Sequence, residues 1–105
     1  MEVVFKALGE PRRVAILKLI GNREMRAGDI AERFNLSRPA ISQHLRVLTK
    51  AKLLNERREG TSRLYRLRPE GFAQMRAFID QFWDIRLARL KHAVETDKRN
   101  RRRDK

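Results

Sequence analysis

Cysteine is absent from the chain, which excludes disulfides, thiolate metal sites and cysteine nucleophiles together. Proline and glycine are scarce, three and five residues, and neither gathers into a linker or a repeat. No apolar run approaches the roughly 20 residues of a membrane span. Met1 leads straight into the amphipathic Val3–Leu8, with no signal-peptide core and cleavage site, so a cytoplasmic location is expected. There is no phosphate-binding glycine loop. Ser37, Ser42 and His44 are accounted for by capping and groove roles, so no nucleophile, base and orienter remain for a hydrolase. Neither an enzyme nor a cofactor is expected. Acidic residues are the last scarcity, 13 against 26 Lys and Arg.

The resulting charge of +13 is unevenly placed. Residues 1–69 carry net +9, residues 70–95 net 0 and residues 96–105 net +4. A basic body and a basic tail suit a polyanion, and a neutral apolar segment between them suits a protein partner. With 105 residues and 41% apolar content, one domain over 1–95 with a basic tail at 96–105 is expected.

The chain reads as mostly α-helical with one small β-hairpin. A short helix at 2–8 ends at Gly9. Pro11 then occupies the first turn of a helix at 11–20, where its missing N–H costs nothing. A third helix at 27–34 carries Ile30 and Phe34 on one face and the small Ala31, which lets a crossing helix approach. Asn35 tolerates the left-handed conformation of a sharp turn, Ser37 is a good N-cap, and Pro39 fits the first turn of a fourth helix at 38–50. Ile41, Leu45 and Leu48 form that helix's inward stripe. Two strands within 53–68, around Glu59-Gly60-Thr61, read as a hairpin. A long helix at 70–95 follows. Its apolar positions, Phe72, Met75, Phe78, Ile79, Phe82, Trp83, Leu87, Leu90 and Val94, exceed what one small neighbour can cover.

Helix, helix, hairpin in this order is the plan of a winged helix-turn-helix. The third helix braces the backbone and the fourth can enter a major groove. Arg38, Ser42, Gln43 and Arg46 point away from the buried stripe. Arg can read guanine and Gln adenine in bidentate fashion, each pair worth about 1–3 kcal/mol of discrimination. Around the hairpin tip, Arg57, Arg58 and Arg63 with Thr61 suit phosphate or minor-groove contact.

Phe5-Lys6-Ala7-Leu8-Gly9-Glu10-Pro11-Arg12-Arg13 resembles the opening of ArsR/SmtB-family repressors. Ser37-Arg38-Pro39-Ala40-Ile41-Ser42-Gln43-His44-Leu45-Arg46-Val47-Leu48 resembles their recognition helix, and Arg57-Arg58-Glu59-Gly60 with Tyr65-Arg66-Leu67 their wing. Phe82-Trp83 and Arg86-Leu87 fit their C-terminal helix. The resemblance implies DNA contact by Ser37, Arg38, Pro39, Ala40, Ser42, Gln43, His44 and Arg46 and by the wing. It also implies a homodimer that represses from an inverted-repeat operator on double-stranded DNA and is released by an effector whose chemistry is unknown. Pairing would run through the first and last helices, at Val4, Phe5, Leu8, Phe72, Met75, Ile79, Phe82, Trp83, Leu87 and Leu90. Two recognition helices would then lie about 34 Å apart.

The family's metal-sensing patterns do not carry over. Arg26 and Gly28 stand where one branch has thiolates. On the last helix Asp80, Asp84, His92 and Glu95 are available, but Asp84 is followed two positions on by Arg86 rather than by His, so no metal site is expected. A nonspecific nucleic-acid binder and a protein-interaction module built on the same fold stay open as alternatives.

Overall fold

The computed structural model describes the backbone of residues 1–103 and the side chains of residues 1–97; within the expected basic tail, 96–105, the side chains of residues 98–105 lie outside the described residues. The elements are α1 (Glu2–Leu8), α2 (Pro11–Ile20), β1 (Met25–Arg26), α3 (Ala27–Phe34), α4 (Arg38–Lys50), β2 (Leu54–Glu59), β3 (Ser62–Leu67) and α5 (Pro69–Arg103). The chain forms two compact units, residues 1–75 and 76–105.

In the first unit, α1 is fastened to α2 by a side chain of the first turn of α2, next to that helix's cap. Glu10 caps α2 by accepting from the Arg12 N–H at 3.2 Å. Arg13 turns back and donates from Nε to the Ala7 carbonyl at 2.6 Å and from Nη2 to the Lys6 carbonyl at 3.3 Å. A cation thereby supports the carbonyls at the end of α1, of which that of Lys6 also accepts from the Gly9 N–H at 3.2 Å. The Glu10-Pro11-Arg12-Arg13 run is thus a local joint as well as a family resemblance.

The turn from α3 to α4 forms as its residues dictate. Asn35 is left-handed (φ 52°, ψ 38°), and the Ser37 hydroxyl accepts from the Ala40 N–H at 3.3 Å. Ile16, Ile20, Ile30, Ile41, Leu45, Leu48 and Leu53 are fully buried and hold α2, α3, α4 and the sheet around one core. Full burial of such a side chain is worth about 1.5–3 kcal/mol.

The sheet has one strand more than the hairpin. β2 and β3 pair antiparallel from Leu54↔Leu67 to Glu59↔Ser62, and Gly60 takes a positive φ (62°) in the two-residue loop. β1 adds to the other edge of β3, with Met25 opposite Tyr65 and Arg26 opposite Leu64, in the order β1-β3-β2. Leu64 and Tyr65, on opposite faces of β3, are both buried.

The first turn of α5 closes against the α4–β2 turn, where Lys52 has φ 61° and the Arg68 N–H donates to the Leu53 carbonyl at 2.9 Å. A Cβ on Gly71 would overlap the Lys52 carbonyl oxygen and lie 3.6 Å from Leu53 Cα. Glycine is therefore required by a backbone-to-backbone approach.

The second unit is the remainder of α5. The helix continues to Arg103, past the end expected at 95, so the segment expected as a basic tail has a helical backbone as far as Arg103. Phe82, Trp83, Ile85, Leu87, Leu90 and Val94 are exposed. Phe82 and Trp83 meet edge to face at 5.9 Å, and the Arg86 guanidinium lies 5.2 Å above the Phe82 ring. Among the described residues no helix is long and apolar enough to cross a membrane.

Of the positions expected to pair two copies, Val4 belongs to the core of the first unit, and Leu8, Phe72 and Met75 pack against that core. Ile79 is half-buried, whereas Phe5, Phe82, Trp83, Leu87 and Leu90 are exposed.

Candidate nucleic-acid interface

Burial of Ile41, Leu45 and Leu48 fixes the rotation of α4 about its axis and turns Arg38, Ser42, Gln43 and Arg46 outward. Residues four apart on a helix share a face, so Arg38, Ser42, Arg46 and Lys50 form one row. That row makes one wall of a groove of about 650 Å³. The first turn of α3 with Arg26 makes a second wall, and the wing, through Thr61, Ser62, Arg63 and Tyr65, makes the third.

Five cations (Arg26, Arg38, Arg46, Lys50 and Arg63) share this groove with two carboxylates, Asp29 and Glu56. Glu56 is taken by Arg63 at 3.5 Å; burial first, and then the same carboxylate, push the Tyr65 hydroxyl pKa up. Among the described residues, Arg26, Arg38, Arg46 and Lys50 have no ion pair. Like charges gathered in a concavity raise a positive potential that favours a polyanion.

The groove collects Arg38, Ser42, Arg46, Thr61 and Arg63 from the expected DNA-contact set. Gln43 is exposed beside it. Ser37 uses its hydroxyl as the cap, Pro39 is exposed and Ala40 half-buried. Arg57 lies outside the groove: Glu24 grips its guanidinium at 2.7 and 2.8 Å, and Glu59 adds a contact at 3.2 Å. Those hydrogen bonds from Arg57 hold the Glu24 carboxyl below its ordinary pKa and raise that of Arg57. Arg57 thus ties the wing to the α2–β1 turn. Its neighbour Arg58 is exposed on the opposite face of β2 and also lies outside the groove.

Arg26, Thr49, Lys50, Ser62 and Tyr65 also line the groove and were not among the expected contacts. Lys50 extends the Ser42–Arg46 spacing and was within reach of a periodicity argument. Arg26 arrives only through the pairing of β1 with β3, which two residues cannot announce.

His44 turns away from the groove toward the start of α2. Its Nδ1 is buried with no hydrogen-bond partner among the described residues. Burial first, then Arg13, lower the imidazole pKa from 6.5, Arg12 adds to this, and Glu10 opposes it. Below pH 6.5 the unfolded chain therefore takes up a proton that the folded chain resists. The stability is intact above that value and is lost as pH falls through the folded pKa. Thermal unfolding between pH 7.5 and 5.5 should show a decline that His44→Gln reduces. An equal decline in both proteins would exclude His44 as its source.

Residues 10–56, which run from the α2 cap into β2, match the model of the bacterial regulatory protein arsR family. The HTH-type transcriptional regulator Rv2034 of Mycobacterium tuberculosis is 36% identical over 89% of this chain and 87% of its own length. The chain belongs to the ArsR family. It is a DNA-binding winged helix-turn-helix transcriptional regulator and not an enzyme. The transcriptional repressor SdpR of Bacillus subtilis is 46% identical over 64% of this ArsR-family chain and 74% of its own. The solution structure of the homodimeric winged helix-turn-helix DNA-binding domain Mb0332 from Mycobacterium bovis superposes with a TM-score of 0.65 at 32% identity, covering 79% of this chain and 77% of that one. Among the described residues no group of three or more His, Cys, Asp or Glu could hold a metal ion.

Proposed function

We propose that this ArsR-family protein is a homodimeric repressor that binds an inverted-repeat operator. Residues 1–95 act as one DNA-binding and dimerisation domain, and residues 96–105 are a basic extension. The observation that carries the reading is the pairing of an uncompensated cationic groove on α4 and the wing with an exposed apolar row on α5. The groove meets the strand. Phe82, Trp83, Leu87 and Leu90 are covered by the same helix of a second copy, because a two-fold contact between identical faces is the simplest way to bury them. The likeness to a named repressor and to a homodimeric domain supports this. In that arrangement α4 enters the major groove, where Gln43 and Arg46 are the base readers.

The test is selection of bound sequences from random duplex DNA at about 150 mM salt, where nonspecific phosphate attraction is partly screened. An enriched inverted repeat is expected. Weak binding without enrichment overturns the operator reading in favour of a nonspecific binder. On the selected operator, Arg46→Ala should cost about 1–3 kcal/mol and relax preference at one position per half-site. A uniform loss across all sequences would make Arg46 a phosphate contact instead.

A further inference from the structure

The groove holds one arrangement that base reading does not explain. Gly28, in the first turn of α3, sits directly under the guanidinium of Arg38: a Cβ at this position would lie 3.1 Å from Arg38 Nη1 and 3.8 Å from Cζ. The missing side chain leaves a notch, and Arg38 lies across it rather than extending along the axis of α4. Arg26 immediately precedes α3, two residues before Gly28, and lines the same groove. Two arginines from different elements therefore line this groove without an ion pair among the described residues.

We propose that Arg26 and Arg38, the latter seated on the Gly28 notch, form a clamp for the phosphate backbone of one operator strand, and that Arg38 is a strand-positioning residue rather than a base reader. The inference rests on the operator reading above and assigns the strand-holding part of that site. Three features favour phosphate over base edges. A guanidinium laid onto the first turn of α3 is drawn away from the exposed middle of α4, where Gln43 and Arg46 stand. Arg26 is tied by its backbone to β3, opposite Leu64, so its side chain starts from the rim of the groove and not from a groove-entering helix. The planar fork of each guanidinium matches phosphate oxygens, and of the two carboxylates that line the groove Glu56 is already paired with Arg63, which leaves Asp29 against the two forks. Gly28 then acts through Arg38. A side chain there lifts the guanidinium out of its seat without touching DNA.

The experiment measures affinity by fluorescence anisotropy over a salt series, on the selected operator and on an unrelated duplex. It uses the full chain and the variants Arg26→Ala, Arg38→Ala, Gly28→Leu and Gly28→Leu/Arg38→Ala. Arg26→Ala and Arg38→Ala should each weaken both duplexes by about tenfold and reduce the slope of log K against log salt by about 0.9. Gly28→Leu should reproduce the Arg38→Ala loss and add nothing to it in the double variant. Its melting temperature should be no lower than that of the parent, because leucine is the better helix former. Gly28→Ala, with a smaller displacement, should give an intermediate loss.

An unchanged salt slope in Arg26→Ala or Arg38→Ala overturns the clamp. A shifted base preference in Arg38→Ala, or additive losses in the double variant, overturns the role given to Arg38. An enriched operator with unchanged slopes sinks the clamp alone. No enrichment with reduced slopes on random duplex sinks the operator reading and keeps the clamp, and absence of duplex binding overturns both.

Discussion

Gly71→Ala is expected to lose about 3 kcal/mol of stability and roughly 12 °C or more in melting temperature, the largest effect of any single methyl in the molecule. The added Cβ would enter the Lys52 carbonyl, and neither backbone has room to retreat. Lys52 is already in the left-handed region and donates its N–H to the Thr49 carbonyl at 3.0 Å. The adjoining Leu53 is fully buried, donates to the Leu48 carbonyl at 3.1 Å and accepts from Arg68 at 2.9 Å. On the other side, the Gly71 N–H donates to the Arg68 carbonyl at 3.1 Å. Relief would require moving the start of α5 off the end of α4, which uncovers Leu53 and the partly buried Phe72. Since a small domain has about 5–15 kcal/mol in all, the loss would take a large share of its stability and raise the unfolded-to-folded ratio by about 150-fold. Thermal and urea unfolding at one fixed protomer concentration decides the matter, because a dimer's melting point depends on concentration. A variant that melts with the parent would show that α5 does not begin against this turn.

Gly71 also marks a limit of reading from sequence. A glycine in the first turn of a helical pattern has no local signature separating tolerance from necessity; the reason lies in a carbonyl nineteen residues earlier. Features whose causes are local were legible. Asn35, Ser37 and Pro39 specify a left-handed turn, a cap and a first turn by their own chemistry, and the structure has all three. The inward stripe of α4 follows from spacing alone, and with it the outward row that lines the groove. Features whose causes are distant were not legible. β1 is two residues long and exists because β3 has a free edge beside it. Arg57 reads as one of three wing cations, yet it answers to Glu24, thirty-three residues away. The helical continuation beyond residue 95 was masked by charge: the basic run reads as a tail set apart, although lysine and arginine are good helix formers.

The expected pairing faces also divide along this line, and the division sets the second large prediction. Periodicity marks Val4, Leu8, Phe72, Met75, Phe82, Trp83, Leu87 and Leu90 alike as apolar, and only the packed structure shows that the first four serve their own core. Leu87 and Leu90 are 54% and 61% exposed, so replacing both with glutamate removes no core contact of the isolated chain. Leu87→Glu/Leu90→Glu should therefore keep the parent's far-ultraviolet circular dichroism and yet sediment as a monomer. In the proposed two-fold dimer the new carboxylates would be buried on both sides of the interface, and burying unpaired charge opposes association strongly. Operator affinity should fall by about 10²–10⁴, the advantage that linking two half-site contacts confers. Affinity for a single half-site should stay near that of one parent protomer. Trp83 is the sole tryptophan and is 53% exposed, so it reports the same event. Its emission should shift to the red when the parent is diluted and be red-shifted at every concentration in the variant. A double variant that remained dimeric with full operator affinity would remove this face of α5 from the interface. A monomeric variant with full operator affinity would instead show that a single winged helix suffices and that the exposed row serves something other than operator binding.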